Sequence, residues 1–324
     1  MAANASALGR RAAWALPVLT LVPALLLGSV TLRTIYTDFP GPSIYQQARA
    51  SMNEGTRMLA VGSSLVRSGL RPSLFSVPTV NLAPNWSGYD LMELLFMRAL
   101  ERCPRTRWLL IELDNHGLLT DRRAHSTDFR QLYELGVRRR DVVPGRIEAL
   151  RLFLRDNVVC FPFFYLRRLT PVELAWRRDA PAIQREPGFW AHELRMTTDL
   201  LAERDFAADE QYLGAACEKI NRTALQEMIT RARARHIQPV FIRMPQLEAY
   251  YKARSADWWR KEDELVRLVK ETLGEQAVIL DCRRMVELKE YHFGDTRHLN
   301  VEGATLFTRE IDMILKSRFE EYGR

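Results

Sequence analysis

The chain has 324 residues, of which 47% are hydrophobic and 27% charged, as is typical of a globular protein with a sizeable core. Its net charge of +7 permits an anionic partner such as nucleic acid, a membrane surface or an acidic polymer. The sequence shows no zinc-finger spacing, no RNP aromatics and no basic zipper, so we expect no nucleic-acid partner.

Residues 12–32 form an uncharged, mostly apolar stretch that directly follows Arg10 and Arg11. At about 1.5 Å per residue the stretch reaches about 30 Å, the thickness of a bilayer core. Positive residues stay on the cytoplasmic side, so it predicts a single-pass cell-membrane anchor with 1–11 inside and the rest in the periplasm or outside. A cleaved signal peptide is the alternative interpretation. A buried core helix in water is disfavoured by Pro17 and Pro23.

After a predicted linker at 33–57, which contains Pro40, Gly41 and Pro42, short apolar strands alternate with amphipathic helices. The predicted strands are 58–61, 80–83, 108–113, 239–242 and 277–280, and the main predicted helices are 89–102, 213–236, 258–273 and 301–315. This alternation predicts an α/β domain over 58–324, with a parallel sheet covered by helices on both faces. Residues that follow the strands should meet at one rim.

Residues 118–212 interrupt the alternation and are predicted to form a helical insertion. Between 138 and 178 the insertion holds ten arginines and four acids, a net charge of 10 − 4 = +6. Two interpretations remain open. It is either a core helix with a solvated charged face, or a lid or docking surface for substrate, membrane or a partner.

The four cysteines, Cys103, Cys160, Cys217 and Cys282, include no C-x-x-C pair, which disfavours a zinc site and a thioredoxin-like redox motif. Buried thiols are the simpler interpretation, although an extracytosolic location would permit disulfides. We expect neither a metal nor an organic cofactor.

Two short motifs carry the chemistry. Gly62-Ser63-Ser64 follows the first predicted strand, and Asp295-Thr296-Arg297-His298 precedes the last predicted helix. A serine hydroxyl becomes a nucleophile when a histidine oriented by a carboxylate removes its proton. The motifs therefore predict Ser64 as nucleophile, His298 as base and Asp295 as its partner. Each motif is also common as a helix-capping sequence, and only their combination favours catalysis.

This Ser-Asp-His order, with the acid three residues before the base, resembles the SGNH (GDSL-type) hydrolase superfamily. The resemblance implies a flavodoxin-like three-layer sheet, and an oxyanion hole built from the backbone N–H groups of Ser64 and Gly88. It implies Asn115 as a further donor, although the usual Gly-x-Asn pattern is absent here. Ser63 replaces the family's usual Asp.

Among its members, the chain resembles anchored cell-envelope proteins such as the DltD-like teichoic-acid D-alanylation proteins and the alginate-type O-acetylation proteins. The likeness implies a serine esterase or O-acyltransferase acting on an acylated glycan or other envelope polymer, beside a membrane-bound O-acyltransferase. The alternative is a non-catalytic envelope binding or assembly protein that retains the fold.

Several further polar residues are expected near the rim. Asn85 and Arg243 are weaker candidates for substrate binding, Arg243 because a guanidinium binds carboxylate or phosphate. Asp114 is a candidate turn cap, and His116 a structural or substrate-contacting residue. His292 is a less favoured alternative base.

Overall fold

The computed structural model describes residues 44–85, 87–120, 134–137, 185–190, 215–284, 288–320 and 322, with the isolated positions 24 and 147. The chain divides into two compact units, and all but two of the described positions belong to the unit formed by 44–138 and 181–324.

A five-stranded parallel sheet forms the centre of the unit. Its strands are β1 (Met58–Val61), β2 (Thr79–Asn81), β3 (Trp108–Glu112), β6 (Gln238–Arg243) and β7 (Val278–Asp281), in the order β2-β1-β3-β6-β7. Val61 pairs with Ile111, Ile111 with Phe241 and Phe241 with Ile279, so the carboxyl ends of these strands lie nearly level. The prediction of a parallel α/β sheet is confirmed.

Helices connect and flank these strands. They are α1 (Ile44–Ser51), α2 (Ser64–Gly69), α3 (Tyr89–Leu100), α4 (Asn115–Leu119), α5 (Ala215–Ala234), α6 (Glu248–Lys252), α7 (Ala256–Leu273) and α8 (Val301–Arg318). Short 3-10 turns lie at Pro72–Leu74, Gly274–Gln276 and Glu290–His292. Asn300 caps α8 by accepting the Gly303 N–H at 2.9 Å, as the sequence predicts.

The last helix packs against α2, the helix that begins at Ser64. The Thr308 hydroxyl donates to the Gly69 carbonyl at 3.3 Å and accepts the Arg71 N–H at 3.0 Å. Ala60, Leu110, Val240, Phe307 and Ile311 belong to one buried cluster, which joins the sheet to α8. Burying this apolar surface holds the end of the chain against the start of the sheet.

Two segments differ from the prediction. Helix α1 lies within the predicted linker, because Ile44, Tyr45 and Ala48 form an apolar stripe that is buried. Within the predicted helical insertion, β4 (Arg185–Glu186) and β5 (Phe189–Trp190) form a small antiparallel hairpin. Its turn at Gly188 has φ +76°, a backbone conformation that glycine adopts without strain.

None of the helices in the described part of the chain is long and apolar enough to cross a membrane. The predicted anchor at 12–32 lies outside those residues except for Ala24, as does the arginine-rich stretch 138–178 except for Ile147. Cys103, Cys217 and Cys282 are buried and are not joined by disulfides, and Cys160 lies outside the described residues.

Candidate active site

The turn between β1 and α2 presents Ser64 at the rim of the sheet. Ser63 caps α2, its hydroxyl accepting the Leu65 N–H at 3.3 Å. Ser64 is the first residue of that helix, so its own N–H has no carbonyl one turn earlier to bind. The side chain and the backbone N–H of Ser64 are thus both presented at the carboxyl end of β1.

A buried carboxylate anchors this turn from the neighbouring strand. Glu112, the last residue of β3, accepts the Ser63 N–H at 2.5 Å and the Ser63 hydroxyl at 2.9 Å. Burial raises the pKa of Glu112 to about 7, and the nearby charge of Asp114 adds to the effect. The site therefore contains a carboxyl group that changes charge near neutral pH.

Gly62 is required by this arrangement. A Cβ atom at this position would lie 2.5 Å from both Oε2 of Glu112 and Cγ2 of Val66. A side chain at position 62 would therefore clash with both neighbours and displace the turn.

The histidine motif meets Ser64 in space. Nε2 of His298 lies 2.8 Å from Oγ of Ser64, although the two residues are 234 positions apart in the chain. Nδ1 of His298 lies 2.7 Å from Oδ2 and 2.9 Å from Oδ1 of Asp295. The structure thus brings the three predicted catalytic side chains together in the order hydroxyl, imidazole and carboxylate.

Backbone groups hold the Asp295 carboxylate in place. Its Oδ1 accepts the Arg297 N–H at 2.8 Å and the His298 N–H at 2.7 Å. The turn is closed by the Gly294 N–H, which donates to the His298 carbonyl at 2.8 Å. The three-residue spacing between acid and base allows one tight turn to orient both.

His298 is suited to accept a proton. Burial lowers its pKa below the ordinary value, and the charges of Arg297 and Arg67 act in the same direction, while Asp295 opposes them. The imidazole is therefore neutral at pH 7. With Nδ1 donating to Asp295, its Nε2 lone pair faces the Ser64 hydroxyl.

A small pocket opens beside Ser64. The residues that line it are Ser63, Ser64, Leu65, Ser87, His116, Thr120 and Arg297. They come from the β1–α2 turn, the segment before α3, helix α4 and the Asp295 turn. Six of the seven lining residues have polar side chains, which can form hydrogen bonds to a hydroxylated or esterified molecule.

Gly88, a predicted oxyanion donor, follows Ser87 directly and caps α3. A Cβ atom at Gly88 would lie 2.7 Å from Oδ1 of Asn221, so the position accepts only glycine without rearrangement. Within the described residues, neither the Gly88 N–H nor the Ser64 N–H forms a hydrogen bond. The Ser64 N–H is thus left for a ligand of the pocket, whereas Gly88 is not among the residues that line it.

Asn115, the third predicted oxyanion donor, is directed elsewhere. Its Nδ2 donates to the Trp258 carbonyl at 2.6 Å, and the side chain is fully buried. Among the residues that follow β3, His116 lines the pocket and Asn115 does not. The predicted role of Asn115 has no support in this geometry, because its amide is already engaged by the backbone that begins α7.

The weaker substrate-binding candidates also have partners within the protein. Oδ1 of Asn85 accepts a hydrogen bond from Arg67, which also donates to the Tyr45 hydroxyl at 3.2 Å. Arg243 is buried in an ion pair with Glu262 and lies 3.3 Å from Asp281. Neither Asn85 nor Arg243 lines the Ser64 pocket.

His292, the alternative base, has a structural contact. Its Nδ1 accepts the Lys289 N–H at 2.9 Å, and the ring is buried. Its carbonyl oxygen accepts the Asn300 N–H at 3.0 Å. These contacts order the loop that precedes α8, and the described structure shows no hydrogen bond from His292 to Ser64.

Sequence reasoning missed the contributions of Glu112, of Asn221 and of the pair formed by Asp114 and His116. A signal for Glu112 was present, since it is a charged residue in the otherwise apolar strand 108–113. Asp114 does cap a turn, as predicted, because its Oδ1 accepts the His116 N–H at 2.7 Å.

No protein-family model matches the chain, and none of the curated proteins matches it.

Proposed function

We propose that this protein is a serine acyl-ester enzyme, an esterase or O-acyltransferase whose nucleophile is Ser64. The observation that carries the proposal is the 2.8 Å contact between Oγ of Ser64 and Nε2 of His298, whose other ring nitrogen is bound to Asp295. A neutral imidazole at this distance can remove the serine proton as the hydroxyl attacks a carbonyl carbon.

The reaction has two steps. In the first, Ser64 forms an ester with the acyl group and the original alcohol leaves. In the second, water or another hydroxyl takes the acyl group from Ser64, so that water gives an esterase and a sugar hydroxyl gives a transferase. The N–H groups of Ser64 and Gly88 would bind the oxyanion of each tetrahedral intermediate.

The substrate class and location follow from the resemblance to anchored SGNH-type envelope proteins. We propose an acylated glycan or envelope polymer as substrate, an anchor at 12–32 in the membrane and the catalytic domain in the periplasm or outside. A membrane-bound O-acyltransferase would then be a partner that supplies or shares the acyl group.

Labelling with a fluorophosphonate probe tests the nucleophile. The unmodified protein should be labelled, and Ser64→Ala should not be, because the probe reacts with an activated serine hydroxyl. Turnover of an ester such as p-nitrophenyl acetate should fall by about 10⁴ or more in the same variant. Ser317→Ala is a matched control, since Ser317 lies exposed on α8 and binds only the Ile314 carbonyl.

Equal labelling of the Ser64→Ala variant and the unmodified protein would reject Ser64 as the nucleophile. Circular dichroism should show an unchanged fold, because the substitution removes a single hydroxyl group.

A non-catalytic envelope binding or assembly protein is the second candidate. The observation that favours it is the Asn115 side chain, which is bound to the Trp258 carbonyl and so leaves the oxyanion hole without its third donor. Under this hypothesis the unmodified protein would not react with the fluorophosphonate, although it would still bind an acylated glycan.

A further inference from the structure

A second imidazole lies on the wall of the pocket that holds Ser64. His116 of α4 lines this pocket, and its Nδ1 lies 2.7 Å from Oδ1 of Asp114. The site therefore contains two imidazoles, His116 and His298, each paired with its own carboxylate. A hydrolytic triad needs only the pair that touches the serine.

Asp114 is held firmly enough to orient His116. Its Oδ1 also accepts the His116 N–H at 2.7 Å, and its Oδ2 lies 3.9 Å from a guanidinium nitrogen of Arg254, whose side chain is almost fully buried. Burial alone would raise the pKa of Asp114, but His116 and Arg254 outweigh it and hold that pKa well below its usual range.

The two imidazoles are held in the same way. Both are buried, with 6% of each residue exposed. The Nδ1 atom of each lies 2.7 Å from a carboxylate oxygen, of Asp114 for His116 and of Asp295 for His298. An imidazole whose Nδ1 is bound to a carboxylate exchanges protons through Nε2, so two such rings at one pocket can share the giving and the taking of protons.

We propose that His116 is a second catalytic residue. It gives a proton to the leaving alcohol when Ser64 takes the acyl group, and it later takes a proton from the alcohol that accepts the acyl group. This inference rests on the proposed function, because it assigns His116 a role in the Ser64 reaction. It makes the pocket suited to acyl transfer between two hydroxyl-bearing molecules such as sugars.

The proton balance closes over one cycle, which begins with a proton on Nε2 of His116 and none on Nε2 of His298. In the first step Oγ of Ser64 bonds to the carbonyl carbon and its proton passes to His298. The bond from that carbon to the leaving oxygen breaks, and the leaving oxygen takes the proton of His116.

In the second step the acceptor oxygen bonds to the acyl carbon and its proton passes to His116. The bond from the acyl carbon to Oγ of Ser64 breaks, and Ser64 regains its proton from His298. The two imidazoles together carry one proton throughout, and each is restored at the end.

The competing explanation for the pair is structural. Asp114 caps α4, and the His116 ring packs edge-on against Trp258 with 4.9 Å between ring centroids. If His116 only stabilised the fold, its loss would lower thermal stability and the rates on all substrates together. A role in proton transfer instead makes the loss depend on the basicity of the leaving alcohol.

His116→Asn separates these explanations, because an asparagine amide can still donate to Asp114 while Nε2 is removed. Two probes are compared: p-nitrophenyl acetate, whose phenolate leaves without a proton, and an acetylated sugar, whose alkoxide needs one. We expect the initial burst of p-nitrophenol to keep its rate, and turnover of the acetylated sugar to fall by about 10²–10⁴.

His236→Asn is the matched control, since His236 is exposed and its φ of 56° suits asparagine. An equal loss on both probes with a lowered melting temperature, or no loss on either, would overturn the role of His116. Failure of the fluorophosphonate probe to label Ser64 in the unmodified protein would instead reject the nucleophile, and with it this role.

Discussion

Glu112 places a carboxyl group directly beneath the turn that carries Ser64. Its two hydrogen bonds from Ser63 fix that turn whether the carboxyl is charged or neutral, since the Ser63 hydroxyl can donate or accept. A pKa of about 7, compared with the ordinary value of 4.5 for a glutamate, means that the folded protein retains a proton that the unfolded chain releases at lower pH.

This difference predicts a pH-dependent stability. The contribution of Glu112 is fully present below pH 4.5 and is lost as the pH rises to about 7, because the folded state must then hold a buried charge. The loss amounts to at most about 3 kcal/mol. The Glu112→Gln variant keeps both hydrogen bonds but cannot titrate at this position. Its free energy of unfolding in urea should therefore lack this fall between pH 5 and pH 8.

The control is Glu248→Gln, since Glu248 is exposed and pairs only with Lys252 in the described structure. It should show the same change between pH 5 and pH 8 as the unmodified protein. If Glu112→Gln also showed that full change, Glu112 would not be the group that titrates.

For single residues, the sequence predicted those side chains whose chemistry follows from the residue type and from its place in a motif. Ser64, Asp295 and His298 meet as their motifs suggested, and their catalytic role stays a prediction. The directions of Asn115 and His116 could not be predicted. Adjacent residues on a short helix point to different sides, and which one faces the pocket depends on packing against Trp258.

At the scale of elements, Asn221 of α5 joins three parts of the site. Its Nδ2 donates to the carbonyls of Leu118 at 2.8 Å and Thr120 at 3.1 Å, and its Oδ1 accepts the Asp90 N–H at 3.1 Å. Through these contacts one buried amide fixes the end of α4 against the start of α3, where Gly88 lies.

Replacing Asn221 with alanine should therefore destabilise the protein. The substitution leaves two carbonyls and one N–H buried without this partner, and we expect the free energy of unfolding to fall by about 1–3 kcal/mol. Chemical denaturation measures the loss. Thr223→Ala, one exposed position on the same helix, should change stability far less. Equal effects would show that Asn221 does not join these elements.

The five strands of the central sheet and the helices α3, α5, α7 and α8 were predicted to within a few residues, because burial imposes a regular apolar period on each. The second strand is Thr79–Asn81 instead of 80–83, although the Leu82 N–H still donates to the Ala60 carbonyl at 2.9 Å. Helix α1 escaped prediction because Pro40, Gly41 and Pro42 made the whole segment resemble a linker, although its apolar stripe begins at Ile44.

For the whole molecule, the strand order β2-β1-β3-β6-β7 locates the site. The direction of strand progression reverses between β1 and β3, which is where doubly wound sheets of this order bind their ligands. Ser64 follows β1 and His116 follows β3, so both lie at this switch point. The sequence predicted that the residues after the strands meet at one rim of the sheet. It could not predict the order of the strands, because that order depends on long-range packing and not on a local pattern.

The predicted anchor gives a test at this scale. The full chain should sediment with membranes and resist carbonate extraction, because 12–32 matches the thickness of a bilayer core. A variant lacking 12–32 should remain in the supernatant. Release of the full chain by carbonate would contradict the anchor, and loss of the N-terminal residues from the mature protein would favour a cleaved signal peptide.

The separation of 234 positions between Ser64 and His298 has a consequence for synthesis. A ribosome-bound chain that ends at β7 already holds the hydroxyl, yet it lacks both the imidazole and the helix α8 that packs beside α2. Such an intermediate would be inert toward acyl donors. Reactivity with a serine-directed probe would then report that folding is complete, and incompletely synthesised chains would not consume acyl donors.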